Sequence, residues 1–155
     1  IIIFSIVLMF VYFGNVTMNH YSNRRVEFKK AGKWYKHNSK KNDKMLIANY
    51  AITNYYARLS KDNFMKREQT ESNNLTDLIH ELHKKNVTYV YADDFYIRRL
   101  KIKDKNSTDK NKKAWLFKEV RDKGLATGKF KKVKEIIIKD ELKGTLRGTI
   151  FNVLK

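Results

Sequence analysis

Between Asn42 and Leu59 the chain reads NDKMLIANYAITNYYARL, and its apolar positions keep a helical spacing. Ala48, Ile52, Tyr55 and Leu59 stand at i, i+4, i+7 and i+11, flanked by Ala51 and Tyr56, while Asn49, Thr53, Asn54 and Arg58 hold the other side. The pattern predicts an amphipathic helix of about four turns, against which the rest of the chain packs. Ser60 to Arg67 (SKDNFMKR) reads as a polar break and a short helix with Phe64 and Met65 turned inward. Leu75, Leu78, Ile79 and Leu82, at i, i+3, i+4 and i+7, predict a second amphipathic helix ending near Asn86.

From Val87 the period shortens to two. Tyr89, Tyr91, Phe95 and Ile97 share one parity, and Leu100 and Ile102 the other, so the phase change at Arg98 and Arg99 predicts a β-bulge. Lys103 to Lys113 reads as a hairpin loop. Ala114 to Val120, Phe130 to Ile138 and Thr145 to Leu154 read as returning strands, with turns at Asp122 to Lys129 and Asp140 to Gly144. Gly148 marks a bend or a close approach of the first helix. Helices followed by a strand meander give an α+β domain, helices packed on a bent antiparallel four-stranded sheet. Its expected core is Ile47, Ile52, Tyr55, Leu59, Leu78, Leu82, Ile97, Leu100, Phe117, Ile136, Ile138, Leu146 and Ile150.

This element order, with the opening Ala51 to Phe64 (AITNYYARLSKDNF), resembles the nuclear-transport-factor-two-like, or cystatin-like cone, superfamily. The resemblance covers about Asn42 to Lys155. It implies helices lining the concave side of a bent sheet, and it includes both acid/base enzymes and membrane-anchored extracytoplasmic components of secretion and conjugation assemblies. No catalytic role carries over. The helical faces that would point into a cone offer Tyr55 and Tyr56 but no carboxylate or histidine at a matching place, and Phe151 stands where a tryptophan is usual.

Ile1 to Gly14 (IIIFSIVLMFVYFG) carries no charge, but a bilayer span needs roughly 20 apolar residues. The chain opens without a methionine, so the run reads as the remainder of a longer signal segment or anchor. No A-x-A cleavage site follows, which favours an uncleaved anchor. The expected organisation is a membrane segment over 1–20, a basic juxtamembrane linker over 21–41 and the α+β domain over 42–155.

Charge sharpens the picture of partners. Lys and Arg total 34 against 16 Asp and Glu, a formal net charge of +18, which attracts polyanions. Nine of these bases lie between Arg24 and Lys44, around Trp34 and Tyr35. Arg24, Arg25, Lys29, Lys30, Lys33 and Lys36 are therefore the candidate polyanion-contacting residues, facing anionic headgroups or polymer. By the positive-inside tendency such a run argues for a cytoplasmic domain, while the resemblance implies an extracytoplasmic one. With no cysteine there is no disulfide, thiol catalysis or cysteine metal site.

Two motifs invite chemistry. His80 and His83 neighbour each other at i, i+3, but a metal site needs a third ligand and fixed supporting partners. Tyr91-Ala92-Asp93-Asp94 looks like the YADD box of reverse transcriptases, whose paired carboxylates hold metal ions. Residues 42–86 lack the glycines and strands of a polymerase palm, so Ala92 to Asp94 reads instead as a turn or bulge. No catalytic, cofactor-binding or metal residue is assigned, and no cofactor is expected. The sequence points to a noncatalytic, membrane-anchored extracytoplasmic interaction domain, with a protein partner or homo-oligomer and weak nonspecific polyanion binding. A basic nucleic-acid-binding domain is the alternative.

Overall fold

Three short, mostly apolar runs, Met45–Ile47 (β1), Phe64–Lys66 (β2) and Tyr89–Asp93 (β3), form the parallel half of one sheet. The computed structural model describes residues 26–48, 50–94, 97, 109–140 and 144–155. Two longer strands, Phe130–Asp140 (β4) and Gly144–Val153 (β5), add the antiparallel half, giving the order β2-β1-β3-β5-β4. The domain is α+β, and its described residues form four helices on a five-stranded mixed sheet, rather than the expected four antiparallel strands.

Both faces of the sheet are covered, which is why β1 shows no apolar–polar alternation: Met45, Leu46 and Ile47 are all buried. On one face helix α1, residues 26–38, and helix α2, Tyr50–Ala57, cover Met45, Ile47, Phe64, Tyr91 and Ile150. On the other, helix α3, Leu75–Lys84, and helix α4, Asp109–Lys123, cover Leu46, Met65, Val90, Ala92 and Phe151. The crossovers β1-α2-β2 and β2-α3-β3 run in opposite directions along the sheet, so one right-handed sense puts α2 and α3 on opposite faces.

Several expectations are corrected by this arrangement. The helix expected over Asn42 to Leu59 begins only at Tyr50, because Met45–Ile47 is taken into the sheet between β2 and β3. With α2 only eight residues long, Tyr55 turns outward and is 72% exposed, while Ile52 and Leu59 are half-buried. Phe64 and Met65 do point inward, but from a strand and toward opposite faces. Ala114 to Val120, expected as a strand, lies in α4. There Leu116, Phe117 and Val120 form the buried stripe, and the i,i+4 pairs Lys118–Asp122 (2.8 Å) and Glu119–Lys123 (2.9 Å), the latter with its carboxylate buried, brace the helix. The bulge expected at Arg98 and Arg99, with Leu100, falls outside the described residues, whereas β4 shifts register between Lys132 and Lys134. Helix α3 matches its expectation, with Asn74 accepting a 2.9 Å bond from the Asp77 N–H as its N-cap.

Residues 21–41 were expected as a linker, yet 26–38 form a packed helix. Phe28, Ala31, Gly32 and Tyr35 follow i, i+3, i+4, i+7 and are buried. Tyr35 is fully enclosed, its ring edge-on to Phe64 (5.3 Å) and Tyr89 (5.9 Å), and its hydroxyl reaches the carbonyls of Asp43 (2.7 Å) and Asn63 (2.9 Å). Residues 1–20 lie outside the described residues, and no described helix is long and apolar enough to cross a membrane.

The contact between α1 and α2 depends on Gly32. A Cβ there would sit 2.5 Å from the Thr53 carbonyl oxygen and 3.1 Å from the Ala57 nitrogen, both backbone atoms that cannot step aside. Gly32→Ala is expected to lower unfolding stability by about 1–3 kcal/mol, as forced overpacking does. Urea denaturation checks it, and an unchanged midpoint would contradict the close crossing.

Candidate functional site: a basic surface over a buried acidic cluster

The acidic residues nearest to a chemical constellation gather at the carboxyl end of β3, where open α/β sheets usually place their sites. Alternation along β3 sends Tyr91 and Asp93 toward α1, and Glu27 on α1 meets them. The Tyr91 hydroxyl donates to Glu27 Oε1 at 3.0 Å. Room for the ring comes from Gly148 on β5, paired opposite Asp93, where a Cβ would lie 2.3 Å from the Tyr91 oxygen. The close approach expected at Gly148 is thus made by a strand side chain, not by a helix.

Glu27 and Asp93 are each 1% exposed. Burial, then repulsion from Asp93, raises the Glu27 carboxyl to about 8; burial, then the charge of Asp94, raises Asp93 to about 7. The same burial and the neighbouring Glu27 push the Tyr91 phenol well above its ordinary value. Asp94 is differently placed. It bonds the Arg121 guanidinium of α4 and accepts the Arg147 N–H of β5 at 3.2 Å, joining three elements. The residues of the YADD-like box are therefore the end of a central strand and its flank rather than a turn. Their carboxylates face helices and neighbouring strands, and among the described residues no group of three or more His, Cys, Asp or Glu is arranged to hold a metal ion.

At the opposite end of the parallel strands a groove of about 1130 Å³ is lined by Lys41, Asp43, Lys44, Asn63, His83 and Thr88, among others. Its polar walls bond to one another. Asp43 accepts from Thr88 Oγ1 (3.0 Å) and the Lys40 N–H (2.7 Å), Asn63 donates to the carbonyls of Lys41 and Asp43 (both 3.1 Å), and His83 Nε2 lies 2.9 Å from the Leu154 carbonyl. The groove is a structural junction, and His83 is part of it while His80 is exposed.

Of the candidate polyanion-contacting residues, Arg24 and Arg25 lie outside the described residues. Lys29, Lys30, Lys33 and Lys36 are all exposed on the outer side of α1. Lys29 Nζ stands 5.6 Å from the Tyr56 ring, which is edge-on to exposed Tyr55 at 5.0 Å. Sequence reasoning missed that these lysines share one helical face, because the charge run hid the Phe28, Ala31, Tyr35 stripe beneath it. It also missed Glu27, an acid among bases with nothing local to mark it as buried. No family model, curated protein or solved structure matches the chain.

Glu27 and Asp93 set the pH dependence of stability. Both hold a proton when folded that the unfolded chain releases near pH 4 to 4.5. Their contribution is therefore greatest below that range and is lost as pH rises through about 7 to 8. The melting temperature is expected to fall between pH 5.5 and 8.5, by about 2–4 °C for each kcal/mol lost. Glu27→Gln should flatten that fall. A melting temperature rising with pH across this interval would contradict the buried acid pair.

Proposed function

We propose that the chain is a noncatalytic interaction domain, held at a membrane through residues 1–20, whose basic α1 face meets an anionic surface or polymer. The observation that carries this reading is the division of charge. The acids that catalysis would need, Glu27 and Asp93, are 1% exposed and face other elements, whereas Lys29, Lys30, Lys33 and Lys36 stand exposed in a row. That row begins 15 residues after the apolar run ends at Gly14, near enough for loose attraction to anionic headgroups, about 1 kcal/mol per base at most. An extracytoplasmic place in an envelope, secretion or conjugation assembly, as the cone-fold resemblance implies, belongs to the same proposal.

A second reading, nucleic-acid binding, draws on Tyr55. It is 72% exposed beside Tyr56 and the α1 lysines, and an exposed ring next to bases is what single-strand binders use for stacking. Binding of single- and double-stranded oligonucleotides between about 50 and 200 mM salt separates the two, since several phosphate contacts change affinity by orders of magnitude over that range. The interaction-domain reading expects weak, sequence-independent binding that vanishes at the upper salt, reduced further by Lys29→Gln with Lys33→Gln. Submicromolar affinity persisting at 200 mM, and lost on Tyr55→Ala, would replace it with the second.

A further inference from the structure

The sheet ends in a long edge. β4 is 11 residues, about twice the usual strand length, and pairs with β5 along its inner side. Among the described residues no strand pairs with its outer side. In an antiparallel ladder about half of a strand's N–H and C=O groups point away from its inner neighbour, so this edge is a template for another extended chain.

The register with β5 assigns the side chains along that edge. Lys132, opposite buried Phe151, faces α3 and α4, and beyond the bulge Glu135, Ile137 and Lys139 share that face. Lys131 and Lys134 point to the other face, with Ile136 and Ile138. All four lysines are exposed, and Ile137 is 50% exposed and Val133 37%. Glu135 is already near two cations, Lys132 at 3.7 Å and Arg147 at 3.9 Å, so the edge presents positive charge on both faces around an apolar spot.

We propose that the outer edge of β4 takes up an extended acidic segment of a partner protein as a sixth strand. This rests on the interaction-domain reading above and gives it a partner class. The segment would carry carboxylates opposite the lysines of both faces and an apolar side chain opposite Ile137. A second copy of this chain is disfavoured, because pairing two such edges sets lysines against lysines. A nucleic acid fits less well, since it has no amide ladder and its backbone would meet lysines on one face only.

The test uses the 155-residue chain with a synthetic ten-residue peptide in which adjacent pairs of Glu flank a central Val, so that both faces of the strand carry carboxylates, and reads hydrogen exchange amide by amide. Amides between Lys131 and Lys139 are expected to gain protection, with affinity falling at least tenfold for Lys132→Glu with Lys139→Glu. The same peptide N-methylated at alternate residues keeps its charges but loses its ladder donors, and it is expected to lose binding by at least tenfold. Equal binding of the methylated peptide, protection elsewhere, no binding, or dimerisation through β4 would each overturn the proposal. Its failure is separable from that of the domain reading, which is decided at α1 and Tyr55 by oligonucleotides and leaves the β4 amides unread.

Discussion

A carboxyl group and a phenol buried together between α1 and the central strand hold this domain's layers in place. Glu27 accepts from Tyr91, Tyr91 fills the space that Gly148 leaves open on β5, and Asp93 and Asp94 continue the strand into α4 and β5. An isolated buried carboxylate is costly, so protonation and a bonded neighbour are the conditions under which Glu27 can stay inside. Around that contact the aromatic rings of Phe28, Trp34 and Tyr35 lie edge-on against Tyr91, Tyr89 and Phe64. Removing the helix would uncover the face of three strands at once.

The same contact explains what could be read from the amino acids and what could not. Elements with a wet face along all or part of their length were legible: Leu75 to Leu82 kept a helical stripe, and Phe130 to Ile138 and Thr145 to Leu154 kept their strands. Met45–Ile47 was not, because a strand covered on both faces has no alternation and a three-residue apolar run is too short to show a period of its own. In α4, Ala114 to Val120 placed five apolar residues in seven, and a short apolar run does not by periodicity distinguish strand from helix. The lysines of α1 were identified as a surface, but their helical order was invisible without the layer beneath them. Nothing near Glu27 in sequence announces a partner 64 residues away.

The proposed function rests on which groups the layers leave outside. Chemistry-bearing acids serve the junctions between elements, and the histidine that touches another element, His83, closes the groove wall at Leu154. Exposed among the described residues are a row of lysines on α1, a tyrosine beside it, and a lysine-studded strand edge at the far side of the sheet. These are the features on which the proposed interaction role rests.

The architecture described depends on α1 being a layer of the domain rather than a basic tether in front of it. Native-state hydrogen exchange compares the opening free energy of amides over 28–38 with that of β3 and β5. If Glu27, Phe28 and Tyr35 lock the helix to the sheet, α1 amides exchange only through the global opening that frees the central strands, with matching free energies. Exchange of α1 several kcal/mol more readily than β3 and β5, with the sheet still protected, would contradict it.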